Sequence, residues 1–398
     1  MRSVIFVIAL LTSSASAGWS QSANPVRQGP ANVPEFSPAF AEQTRAPAMP
    51  QAHDLVAEVF ARGLSHPWGI ATLPGGQGFL VTERPGRMRH VSARGVVGPP
   101  LVGLPPVAAE GQGGLLDVAI GPDFARDRLI YWTYAKPVSG RFATAAARGR
   151  LSADLTAITG ATDIFVQTPL SATPAHYGSR IVFDGDGHAF VTTGEHSSAR
   201  ERVLAQDLTT TFGKVVRISL DGGIPAGNPF ADLTAARPEI WSLGHRNIQG
   251  AFVDDGALWT IEHGPQGGDE LNRIRAGRNY GWPVITYGED YSGRAIGGAE
   301  TARDGMEQPI YYWDPVIAPA GMLRYDGGLF RRWTGDILIS SLNPGGIVRL
   351  RLRDGLVVGE QRLLAPLGRV RDLEIAPDGS LLALLDRADG LIARIRPK

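Results

Sequence analysis

The chain has 398 residues, with 39 basic and 39 acidic side chains, 50 glycines, 29 prolines and no cysteine. At 43% hydrophobic residues there is ample material for a packed core in a chain of this length. Charge balance leaves no basic footprint for nucleic acid, and no run of about 18 apolar residues is present to span a bilayer. Without cysteine, disulfide frameworks, zinc fingers, thiolate nucleophiles and iron–sulfur clusters are excluded together. Any metal must be held by oxygen or imidazole.

In chain order, residues 1–17 (MRSVIFVIALLTSSASA) carry one arginine, a short apolar stretch and an Ala-Ser-Ala ending. That is the layout of a cleavable signal peptide, with an apolar stretch too short for a transmembrane helix. It predicts a periplasmic or secreted protein. Residues 18–53 are rich in Ala, Pro, Gln and Ser with no periodicity, and read as an extended linker outside the fold. The folded domain is expected over 54–398.

From residue 54 one pattern recurs: an apolar run, an Asp-Gly or similar turn, and a second apolar run. Its instances fall at 68–83, 115–134, 179–195, 249–264, 321–341 and 371–386, starting roughly 50 to 70 residues apart. Asp-Gly between alternating runs signals a hairpin, because glycine accepts the positive φ of the turn. Six such units with no convincing amphipathic helix between most of them predict an all-β six-bladed β-propeller of four-stranded antiparallel blades. Two β-sandwiches are the alternative. Glycine-rich inserts at 195–213 and 262–291 would gather on one face around the central channel.

No complete G-x-G-x-x-G, P-loop, G-x-S-x-G or H-E-x-x-H is present, which weakens nicotinamide, NTPase and serine-esterase readings. His66 and His90 fall at expected strand edges and His188 in a hairpin, whereas His176, in PAHYGSR, stands just ahead of an inner strand. The run from Asp184 to Glu195 imitates a calcium loop but has Ala189 where glycine is required and no flanking helices, so a hairpin turn accounts for it better.

Four segments are polar beyond what folding demands: EGQGGLLD (110–117) with Gln112, GHRNIQG (244–250) with Arg246 and Asn247, EHGPQGGDELN (262–272) with Asp269 and Glu270, and GRVRDL (368–373). Arg369 and Arg371, two apart, share one face of a strand. Each segment alone is compatible with an ordinary turn or surface ion pair. Together, three arginines facing one cavity suit a ligand with several carboxylates, and free carbonyls beside a carboxylate suit a hard cation such as calcium.

Together with HYGSRIVF (176–183), AQDLTTTFGKVVRI (205–218), NYGWPVITYGEDYSG (279–293) and IAPAGM (317–322), these segments resemble the pyrroloquinoline quinone (PQQ)-dependent soluble sugar dehydrogenases, the glucose/sorbosone dehydrogenase family, and within it the aldose sugar dehydrogenases. The resemblance runs from about residue 55 to 396. It implies a six-bladed propeller that oxidises the C1 hydroxyl of aldoses to lactones, passing hydride to PQQ with Ca2+ assistance and reduced quinone electrons to an external acceptor. It implies His176 as the general base, oriented by Glu195, with Arg246 beside it. Quinone contacts implied are Gln112, Arg246, Asn247, Tyr291, Ala318, Pro319, Ala320, Arg369 and Arg371. The carbonyls of Gly264 and Pro265 would hold the catalytic calcium; the Glu270 carboxylate and the Tyr280 carbonyl would hold a second, structural one. Two positions depart from the family pattern: Asn343 where several relatives carry lysine, which should weaken quinone binding, and Ser179 where glycine is common, which should crowd the sugar site slightly. A monomer or weak homodimer is expected. A calcium-dependent lactonase and a non-catalytic carbohydrate- or protein-binding propeller remain as alternatives, because fold alone decides neither.

Overall fold

A computed structural model describes residues 24–398; the signal-like segment 1–17 and residues 18–23 lie outside the described residues. Six four-stranded antiparallel sheets form a six-bladed β-propeller. Each expected hairpin is the inner half of a blade. In the third blade, for example, Gly178–Phe183 pairs with His188–Thr193, and Lys214–Ser219 and Ile240–Leu243 complete the sheet outward. We number the blades 1 (67–100), 2 (115–166), 3 (178–243), 4 (248–313), 5 (319–363) and 6 (370–397). The α-helix Phe124–Asp127 is a single turn, in keeping with the lack of helical periodicity.

The ring is closed by its first strand. Leu55–Leu64 pairs antiparallel with Gly390–Pro397, so blade 6 is built from both ends of the domain. Closure of this kind ties the termini together and leaves no inter-blade gap. Apolar clusters fill the wedges between blades: Ile70, Phe79 and Val81 of blade 1 meet Leu382, Leu384 and Ile392 of blade 6.

A local feature places the site. All six innermost strands change register near their first residues, at 67/70, 115/118, 178/181, 248/250, 319/322 and 370/372. An irregularity of this type kinks a strand and re-aims its side chains, and it recurs on the channel face bearing the polar segments.

The stretch read as an outlying linker corrects that reading. From Pro25 to Met49 it packs on the outside of blades 4 and 5, with Gln43 and Ala46 buried. Met49 N donates to Glu360 O (2.8 Å) and Glu360 N to Pro47 O (3.0 Å), while Ala46 N donates to the Tyr311 hydroxyl (2.8 Å). Aperiodic Pro/Ala-rich sequence predicts solvated chain. Here its small side chains let it lie flat on a finished surface, and its backbone donors find partners there.

Ile392 is fully buried between blades 6 and 1. Ile392→Ala should cost about 2–5 kcal/mol, read as a lower urea midpoint; an unchanged midpoint would mean that this wedge does not hold the ring shut.

Candidate active site

The site lies where the innermost strands begin. His176 precedes the inner strand of blade 3 with φ of 44°, an uncommon conformation for a side-chain-bearing residue. Its backbone is pinned by His176 N donating to Gln112 Oε1 (2.9 Å), and Gly178 N donates to Asn247 Oδ1 (2.9 Å). Gln112 and Asn247 thus reach the histidine segment from blades 2 and 4. The imidazole Nδ1 lies 3.1 Å from Glu195 Oε1, in a largely buried pair. Glu195 Oε2 accepts from Ser197 N. A carboxylate only accepts, so Nδ1 carries the proton and Nε2 keeps its lone pair. Burial, reinforced by the Arg246 charge, lowers the His176 pKa against the opposing pull of Glu195. The ring is therefore neutral near pH 7 and able to take a proton at Nε2.

Facing it is an excess of positive charge. Arg246 N donates to Glu262 Oε2 (2.6 Å) and one guanidinium nitrogen to His263 O (3.2 Å), and the guanidinium lies over the Trp282 ring at 5.2 Å. Its Nε and the buried His263 Nε2 have no partner among the described residues. Burial, then the nearby Arg246 and Arg371 charges, push His263 well below the usual imidazole range. Arg371 is gripped by Asp386 (2.6 and 3.2 Å) and by Gln249 Oε1 (2.8 Å), and the more exposed Arg369 lies 3.7 Å from the same Asp386 carboxylate. A buried donor without an acceptor is costly, and the unpartnered Arg246 Nε, with three guanidinium groups at this mouth, fits a planar anion with several carboxylates.

Opposite in character is the turn 262–270. Gly264 N donates to Asp269 Oδ1 (2.8 Å), and Asp269 Oδ2 accepts from Ile317 N (2.7 Å) and Ala318 N (2.8 Å). One buried carboxylate thereby fastens the turn to the Ala318-Pro319-Ala320 stretch. A β-carbon on Gly264 would lie 2.3 Å from Gly267 O, so only glycine fits. Among the described residues, the carbonyls of Gly264, Pro265 and Tyr280 accept no hydrogen bond. Glu270 and Glu262 share Asn272 Nδ2 (3.2 Å each), and burial followed by the Glu262 charge raises the Glu270 pKa well above normal. Free carbonyls beside under-neutralised carboxylates fit a hard cation. No cluster of three or more His, Asp or Glu side chains suited to a metal occurs among the described residues, so such a cation must draw on backbone oxygens.

The structure thus brings together His176, Glu195, Gln112, Arg246, Asn247 and Arg371, with Arg369 at the edge. Tyr291 stands apart, 71% exposed and hydrogen-bonded to none of them. Glu270 and Tyr280 are linked only indirectly: Glu262 Oε1 meets His245 Nδ1 (2.9 Å), whose ring stacks on Tyr280 at 4.9 Å. Asn343 is exposed beside Leu342, which bonds to Ala318 O and receives Arg369. Ser179 has φ of 80°, which explains the family's preference for glycine; its hydroxyl bonds to Tyr177 O (3.3 Å), so the cost falls on the backbone. Sequence reasoning missed His263, Asp386, Gln249, Trp282 and the role of His66, whose Nδ1 meets Asp386 Oδ1 at 3.0 Å. Trp282, Gln249 and His263 stood inside the motifs NYGWPVITYGEDYSG, GHRNIQG and EHGPQGGDELN without being singled out; Asp386 and the role of His66 carried no signal.

A propeller with a histidine–glutamate pair, a guanidinium wall and a carbonyl-rich turn at one channel mouth defines a class of ligand-binding β-propeller with general-base capacity. Residues 64–394 match the glucose/sorbosone dehydrogenase family model, and the chain belongs to that family. It is 41% identical to the aldose sugar dehydrogenase YliI of Escherichia coli K12 over 86% of this chain and 92% of that protein. The apo structure of the soluble E. coli aldose sugar dehydrogenase superposes with a TM-score of 0.84 at 40% identity, covering 87% of this chain and all of that one. The PQQ-bound aldose sugar dehydrogenase of Streptomyces coelicolor superposes at 0.70 with 27% identity, covering 87% and 99% of the two chains.

Asp386 yields a test. Burial alone would raise its pKa, but the Arg371 charge and hydrogen bonds hold it at about 2 against the usual 3.8. A depressed carboxylate pKa stabilises the fold fully above pH 4, by roughly 2 kcal/mol, and this is lost as pH falls through about 2. Asp386→Asn, which leaves Arg371 buried without its counter-charge, should cost about 3–5 kcal/mol at neutral pH. In urea unfolding the gap between wild type and variant should narrow below pH 4; a gap independent of pH would contradict the ion pair.

Proposed function

We propose that the protein is a PQQ- and Ca2+-dependent aldose sugar dehydrogenase that converts the C1 hydroxyl of aldoses to a lactone and delivers the electrons to an external acceptor. The observation that carries this reading is the neutral, Glu195-oriented His176 facing a wall of guanidinium groups in which Arg246 Nε has no partner among the described residues. When bound, PQQ supplies an electrophilic carbonyl carbon as hydride acceptor and Ca2+ supplies Lewis-acid polarisation of that carbonyl. Arg246, Arg369 and Arg371, with Gln112, Asn247 and the 318–320 backbone, would hold the quinone and balance its carboxylates. The carbonyls of Gly264 and Pro265 would hold the catalytic cation, and Glu270 with the Tyr280 carbonyl the structural one. Tyr291 would cover the quinone from its exposed insert.

His176 Nε2 takes the anomeric hydroxyl proton, and Glu195 stabilises the imidazolium that results. Burial, with the Arg246 charge second, lowers the His176 pKa and keeps the base unprotonated until substrate arrives. A lactonase reading would need free axial carboxylates. Among the described residues the axial Asp117 and Asp372 are spent on Arg180 (2.7 and 3.1 Å), and Glu374 on Thr72 (2.6 and 3.1 Å). The signal-like N-terminus supports action in the periplasm or outside the cell; no helix among the described residues is long and apolar enough to cross a membrane.

His176→Asn should lower turnover by about 10²–10⁴-fold while PQQ affinity stays within a few-fold, measured by dye reduction and cofactor titration. More than a tenth of wild-type turnover would remove His176 from the reaction. Asn343→Lys should slow PQQ release and tighten binding by about three- to tenfold, the modest gain expected of a charge-assisted bond at an exposed rim. No gain would mean that the three arginines already satisfy the carboxylates.

A further inference from the structure

Among the described residues, those ahead of residue 64, where the family match begins, include a buried polar lock. We propose that the N-terminal strap is a positioning element for the turn 264–268, acting through Gln43 and Asp314. The inference rests on the proposed function in taking that turn as the cation-binding turn.

Gln43 is fully buried, and all of its polar capacity is used. Its Oε1 accepts from Ala39 N (2.7 Å), and its Nε2 donates to Gln308 Oε1 (3.1 Å) and Pro309 O (3.0 Å). The Tyr287 hydroxyl stands 3.0 Å from Gln43 Oε1 and 2.6 Å from Gln308 Oε1. A satisfied buried amide fixes one geometry, because every alternative leaves a donor or acceptor orphaned. What it fixes is the backbone at Tyr287, and that backbone lies on the turn. A β-carbon on Gly268 would come within 2.9 Å of Gly288 N, and one on Gly288 within 2.2 Å of Gly267 O. Gln266 and Glu289 exchange a pair of backbone hydrogen bonds (2.9 and 3.0 Å).

The second point of purchase is Asp314. Its two carboxylate oxygens accept from Asn32 N (2.8 Å) and Val33 N (2.9 Å) of the strap. The same carboxylate packs on Gly267, where an added β-carbon would meet Oδ1 at 2.9 Å. Beside it, Gly268 N donates to Trp313 O (2.8 Å). The strap therefore grips both backbones between which the turn is held. Glycines at 264, 267 and 268 leave the turn little stiffness of its own, so its carbonyl directions depend on those flanks.

The test uses the full, ligand-free chain. Hydrogen exchange would be followed at residues 266–268 and 287–289 in wild type, Gln43→Met and the milder Tyr287→Phe, with Ca2+ affinity measured by calorimetry. Both variants should speed exchange at these residues by about tenfold and weaken Ca2+ binding by about three- to tenfold. Gln28→Ala, which removes a strap contact to Arg362 (3.0 Å) that involves neither Gln43, Tyr287 nor Asp314, should change neither. Unchanged local exchange in Tyr287→Phe, or an equal rise in all six blades, would overturn the proposal. Should wild type bind neither Ca2+ nor PQQ while the exchange rises locally, the strap's role stands and the functional reading fails.

Discussion

Everything at the channel depends on how six converging strands satisfy inner backbone donors that no further strand can pair. They do it with side chains borrowed from neighbouring blades. Asp117 of blade 2 accepts from Ile181 N of blade 3 (2.9 Å), Asp372 of blade 6 from Ile70 N of blade 1 (3.2 Å), and Glu374 from Thr72 N (3.1 Å). Those carboxylates are then too close to stand unneutralised. Arg180 lies between Asp117 and Asp372, stacked on Trp68 at 4.7 Å. A buried pair of this kind adds little net stability, but losing one member is severe. It fixes the rotation of one blade against the next, and hence where each strand's first residue points.

From this axial plug the polar structure rises toward the mouth with a change of sign. Arg180 Nε donates to Gln249 O, and the Gln249 side chain accepts from Arg371. Trp68 lies under both guanidinium groups, 4.7 Å from Arg180 and 5.9 Å from Arg371. The plug is rich in acid, whereas the mouth above it has Asp386 shared between two arginines and, among the described residues, no carboxylate paired with the Arg246 guanidinium. The base occupies the boundary. His176 feels Arg246 from one side and Glu195 from the other, and burial decides the balance in favour of the neutral ring.

How much of this could be read from the sequence follows the range of the interaction concerned. Hairpins were legible because an Asp-Gly turn and alternating apolar runs are local; all six became inner strand pairs. His176, Gln112, Asn247 and Arg246 were legible because their motifs join a strand start to a glycine turn. The ring closure by Leu55–Leu64 was not, since nothing within that strand names its partner more than 300 residues away. Asp386 and Gln249 escaped for the same reason: each matters only through an arginine on another strand. The strap escaped because its contacts are made by backbone donors and a few polar side chains such as Gln28, Gln43 and Thr44, which leave no hydropathy pattern. Tyr291 and Tyr280 were legible only by resemblance; the ligand-free geometry leaves Tyr291 apart and joins Tyr280 to Glu270 only through His245, Glu262 and Asn272.

Backbone strain gathers at the site. His176, Ser179 and Ala318 all have positive φ, and all lie at the starts of innermost strands. Such backbones persist only when their surroundings over-determine them. Here the determinants are the hydrogen bonds already described: Gln112 on His176, Asn247 on Gly178, Asp269 on Ala318. Each comes from a neighbouring blade. The site residues are thus held by blade-to-blade contacts that exist only when the ring is closed. A blade in isolation would present the same motifs with relaxed backbones, and the His176 ring would have no fixed relation to the arginines. Closure of the propeller is therefore what turns six polar strand-ends into one chemical site.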